Sequence, residues 1–127
     1  MKTSIWICVI LTCLIALLII VPHIFITNTV QEVKTILKQA DYALKQENWD
    51  DAINRCKHLT KKWEEYSIWF EMVTEHQGID EISRSIRQLS RFAQEQELPE
   101  ARAIIAELGF LVDHLEETDT LSAENIF

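Results

Sequence analysis

Apolar residues fall in two regimes along this chain, one unbroken block and then stripes spaced three and four apart. From Ile5 to Ile26 there are 22 residues without a charge, dominated by Ile, Leu and Val. As a helix this block is about 33 Å long, enough to cross a bilayer core of about 30 Å. A cleaved signal peptide would want small residues before a cut site, and IIVPHIFI at residues 19–26 is bulky throughout. The block therefore reads as an uncleaved membrane anchor over residues 1–27, with Pro22 as a potential kink near its outer end.

Beyond it the period becomes helical. Thr29-Val-Gln-Glu32 has the form of a capping box and predicts a helix start, followed by the stripe Val30, Val33, Leu37, Ala40, Leu44. Asn48, with Asp51 three residues on, caps a second helix. Its stripe is a heptad seam of Ala52, Cys56, Leu59, Trp63, Tyr66, Phe70 and Val73. A third helix carries Ile79, Ile82, Ile86, Leu89 and Ala93. The fourth starts near Pro99 and carries Ala101, Ile104, Leu108, Leu111 and Leu115. Gly78 and Pro99 mark the later turns. The fold predicted is all-α, a transmembrane helix and then an antiparallel four-helix bundle of two hairpins over residues 28–118, with residues 119–127 as a tail. Asn48–Ala52 and Glu97–Ala101 are similar junctions 49 residues apart, and Val33/Ile82, Ala52/Ala101 and Leu59/Leu108 align at the same offset.

Connectivity adds a height to each turn. The first bundle helix climbs away from the membrane and the second returns, so Tyr66–Phe70, the Gly78 turn and the C-terminal segment fall at the membrane end. The turns at Asn48 and Leu98 fall at the far end.

Charge narrows the partners. Residues 1–26 hold one basic side chain, Lys2, and no acid; the rest hold 11 basic and 20 acidic side chains, a formal charge of −9. Such a domain repels phosphate backbones, which excludes nucleic acid as a partner, and it has no electrostatic grip on anionic lipid. Lys2 and the amino terminus favour an N-terminus in the cytoplasm and a domain outside it, at the cell membrane. Cys8 and Cys13 lie in the apolar block and Cys56 is alone beyond it, so no disulfide framework or zinc spacing exists.

Candidate chemistry is sparse. In KKWEEYSIWFEMVTEH, residues 61–76, Trp63, Tyr66, Phe70 and Val73 continue the core seam. Trp69, Met72 and His76 form an offset stripe, which reads either as further core, as an interfacial anchor, or as a partner-binding patch. His76, Asp80 and His114 fall at one end of the bundle and offer a second reading, a metal- or pH-responsive cluster. No phosphate loop, nucleophile elbow or closed metal-ligand motif is present, so neither catalysis nor a cofactor is expected.

Three segments carry a resemblance: Glu75-His-Gln-Gly-Ile-Asp-Glu-Ile82, Leu108-Gly-Phe-Leu-Val-Asp-His-Leu115 and the ending Leu121-Ser-Ala-Glu-Asn-Ile-Phe127. With the N-terminal span and Trp-rich second helix, they resemble a family of small single-pass membrane proteins of Gram-positive bacteria, domain of unknown function 4363. Gly78 stands where that pattern has an acidic residue. The resemblance implies architecture and no established activity, and it implies work beside another integral membrane protein. The function expected is thus a membrane-anchored interaction or assembly module without catalysis of its own.

Overall fold

The computed structural model describes the backbone of every residue except Thr74, Glu75 and Phe127, and the side chains of all residues except 73–77 and 119–127. Among the described residues there are four helices: α1 Lys2–Lys45, α2 Trp49–Val73, α3 His76–Gln94 and α4 Leu98–Ile126. Each packs on its neighbours in sequence, and α4 closes the ring against α1. Cross-helix pairs fix the directions. Arg55 Nη1 donates to Gln39 Oε1 (3.0 Å) and Lys62 lies 3.5 Å from Glu32, so α2 runs antiparallel to α1. Arg102 pairs with Asp41 at 3.2 Å and Lys34 with Asp113, so α4 is antiparallel to α1 as well. The predicted all-α four-helix arrangement is what forms.

The core is the predicted stripes. Val30, Val33, Leu37, Ala40 and Leu44 of α1 are buried, as are Ala52, Cys56, Leu59, Trp63 and Phe70 of α2 and all five predicted residues of α3. On α4, Ala101, Leu108 and Leu115 are buried, while Ile104 and Leu111 pack partly buried against the cluster. Val112, outside the predicted stripe, is also buried. Tyr66 is half-buried, and the side chain of Val73 lies outside the described residues.

Three boundaries differ from expectation. The capping box does not start a helix, because α1 is a single 44-residue element that runs from the apolar block through the bundle. Thr29 sits inside it, buried, with its hydroxyl donating to the Phe25 carbonyl four residues back (2.8 Å). Inside a continuous helix the amides that follow Thr29 already bond to carbonyls four residues back, so none is left for it to cap. Gly78 is likewise no turn: it lies inside α3, without positive φ. Residues 119–126, expected as a tail, continue the backbone of α4 to Ile126.

The α1–α2 and α3–α4 junctions share one geometry. The amides of Glu47 and Asn48 donate to the Leu44 and Ala43 carbonyls (both 2.9 Å), and those of Gln96 and Glu97 to Ala93 and Phe92 (3.2 and 2.9 Å). This is the Schellman pattern, with Glu47 (φ 52°) and Gln96 (φ 57°) in the left-handed position that glycine usually fills. Asn48 then caps α2, its Oδ1 accepting from the Asp51 amide at 3.3 Å. The 49-residue offset seen in the sequence is therefore repeated in the backbone hydrogen bonds of the two turns.

Candidate interaction surface

At the end of the bundle where the apolar part of α1 emerges, aromatic rings tie three helices together. Phe25 of α1 meets Tyr66 edge-on (5.6 Å between centroids) and Phe70 at a tilt (5.9 Å). Phe70 stacks on Trp63 (5.6 Å), whose indole N–H donates to Ser83 Oγ of α3 at 2.7 Å. Such pairs add to the burial of their own area, and the indole donor has its partner. Phe70 and Trp63 thus face inward, and the other side of the same turns must face out.

That outward side is apolar. Ile68 is 59% exposed, Trp69 59% and Met72 70%. The core reading of Trp69 and Met72 is overturned. Three and four residues separate these side chains, so they form one strip on the last turns of α2. Higher on the same face stand polar, exposed Glu65, Lys61 and His58. His76, the third residue of the predicted stripe, has its side chain outside the described residues. Ile68 was missed because it lies off the heptad seam; its four-residue spacing to Met72 was the available signal.

A polar bridge lies just above this strip. The Tyr66 hydroxyl donates to Glu32 Oε2, and Lys62 approaches the other carboxylate oxygen. The Tyr66 hydrogen bond holds the Glu32 carboxyl below the ordinary range, with Lys62 acting in the same sense. In return, the bond to Glu32, with burial, pushes the Tyr66 phenol up to about 12. Assigning Glu32 to a capping box hid this bridge from the sequence reading. On the neighbouring seam, Lys34 reaches Asp113 and, at 3.8 Å, Glu116 of α4. Burial pushes the Cys56 thiol up to about 11, which suits a packed core residue and not a nucleophile.

Of the second cluster, Asp80 and His114 are exposed and on different helices, and the His76 side chain is undescribed. The His114 ring stacks on Phe110 (6.3 Å, 7° between planes). Among the described residues no group of three or more His, Cys, Asp or Glu side chains is arranged to hold a metal.

The remaining exposed apolar surface is mostly α1 itself. Between Ile5 and Ile24 most of the large side chains stand exposed, and α1 is long and apolar enough there to cross a membrane. Comparison with known sequences finds one family, described as Domain of unknown function (DUF4363), matching residues 22–126. No curated protein and no solved structure matches the chain.

Proposed function

Because the chain belongs to the DUF4363 family, a domain of unknown function, we propose a role read from its surface: a membrane-anchored interaction or assembly module, without catalysis of its own. The apolar part of α1 is the single-pass anchor, the N-terminus is cytoplasmic and the bundle stands outside the cell membrane. The partner is another integral membrane protein. The observation that carries this reading is the strip Ile68, Trp69 and Met72, exposed at the end of the bundle nearest the anchor. An exposed strip of large apolar side chains, bounded by charged residues, marks a contact surface. Its position beside the apolar part of α1 favours a partner embedded in the same bilayer.

The test is crosslinking in native membranes followed by identification of the captured protein, with Trp69→Ala/Met72→Ala as the contrast. The double variant is expected to stay folded and lose the captured partner. Retention of the partner at wild-type yield would overturn the assignment of the strip.

A further inference from the structure

We infer that the anchor end of the bundle rests in the bilayer interface, with Ile68, Trp69 and Met72 immersed where headgroups meet acyl chains. The occupant of this strip is lipid, and an embedded protein partner would reach it by displacing lipid. The inference rests on the anchored half of the proposed function and not on the partner.

Register and length carry it. Phe25 touches Tyr66 and Phe70, and Glu32 meets Lys62 and Tyr66, so α2 descends alongside α1 almost residue for residue. Continuing that register puts Met72 level with about Pro22 of α1 at 1.5 Å per residue. The bundle therefore begins around Pro22–Ile26, and Ile26 is already only 1% exposed. That leaves residues 5–21 as the apolar stretch without neighbouring helices, a rise of about 26 Å. Adding uncharged Thr3 and Ser4 extends it to about 28 Å, and Lys2 ends it.

A hydrocarbon core is about 30 Å thick, and any tilt of α1 shortens the height it spans. The unaccompanied stretch is therefore at the short end of what spans a bilayer. A core of full thickness starting beside Lys2 reaches the level of Pro22–Ile26, which is the level of Trp69 and Met72. Tryptophan at that depth places its apolar body in the acyl boundary and its indole N–H among the headgroups. The strip supplies apolar contact where the acidic bundle supplies no electrostatic attraction to anionic lipid.

Depth-dependent quenching of the full chain in phosphatidylcholine vesicles tests this. Trp6 lies in the apolar stretch, Trp49 at the far turn, about 30 Å along α2 from Trp69, and Trp63 in the core. Three single-tryptophan forms, made with Trp→Phe at the other three positions, report Trp6, Trp49 and Trp69 separately. Trp69 is expected to be quenched severalfold more than Trp49 by lipids brominated near the top of the acyl chains, and severalfold less by aqueous iodide. Quenching of Trp69 by iodide to the same extent as Trp49, with no response to brominated lipid, overturns the inference. These vesicles hold no partner, so a strip covered only by protein would give that overturning result. Trp6 separates the two readings: its response to brominated lipid reports the anchor whatever Trp69 does. Should Trp63→Phe prevent folding, a nitroxide on Ile68→Cys, with Cys8 and Cys13 replaced by Ala, gives the same depth against oxygen and an aqueous nickel chelate. A nitroxide more accessible to the chelate than to oxygen would equally sink the proposal.

Discussion

The Tyr66 hydroxyl donates to the Glu32 carboxylate across the α1–α2 seam, 34 residues apart in sequence, with Lys62 on the same carboxyl group. Tyr66→Phe keeps the ring against Phe25 and removes only the donor. It is expected to cost about 1 kcal/mol, the low side for a hydrogen bond to a charged group, because Glu32 is partly exposed and screened. Thermal unfolding of the two forms at pH 7 measures it.

The same pair sets a pH signature. Glu32 titrates below its ordinary value of 4.5 when folded, so its contribution is present above that value and lost as pH falls through the folded one. Tyr66 titrates at about 12 against an ordinary 10, so its contribution holds below 10 and is lost between 10 and 12. Melting temperature against pH should therefore show an acid and an alkaline limb. Both should shrink in Tyr66→Phe, and unchanged limbs would mean the bond does not govern them.

Adjacent residues on α2 should differ sharply. Phe70 is fully buried between Phe25 and Trp63, so Phe70→Ala is expected to cost about 3–5 kcal/mol through lost burial and a cavity. Trp69→Ala, one residue away and facing out, is expected to stay within about 0.5 kcal/mol of wild type. Unfolding followed by circular dichroism compares them. Equal costs would mean that Trp69 is core.

Glu47 and Gln96 hold left-handed backbone at the two matching turns, where a Cβ is unfavourable. Glu47→Gly and Gln96→Gly should each raise stability by about 0.5–1 kcal/mol, after the extra freedom glycine gives the unfolded chain. A rise in unfolding temperature for each single variant checks this.

The glycines inside helices should behave oppositely. A Cβ at Gly78 or Gly109 would meet nothing within 4 Å, and neither has positive φ. Gly109→Ala, mid-helix in α4, should stabilise by up to about 1 kcal/mol, and Gly78→Ala, in the first turn of α3, by less. Loss of stability in either would mean the backbone there needs glycine.

Much of the fold was legible because periodicity reports burial directly. The stripes from Val30 to Leu115 name residues that touch one another, and the repeated Asn48 and Glu97 junctions carry their own hydrogen-bond chemistry. What was hidden depended on neighbours. Thr29 and Glu32 spell a helix start, yet one bonds the turn behind it and the other a tyrosine on α2. Gly78 looks like a break, but helical backbone accommodates it. The outward strip was half visible: Trp69 and Met72 stood off the seam, but only the packing of Phe25, Phe70 and Trp63 decided which way they point.

The unbroken course of α1 through residues 22–30 has a geometric consequence. No linker lets the bundle swivel on the apolar stretch, so each flank of that stretch has a fixed azimuth relative to each bundle face. A helix advances about 100° and 1.5 Å per residue. Inserting one residue at this junction would turn the whole bundle by more than a quarter circle about the α1 axis while barely lifting it. Any neighbour that grips the apolar stretch thereby also chooses which helix of the bundle it meets.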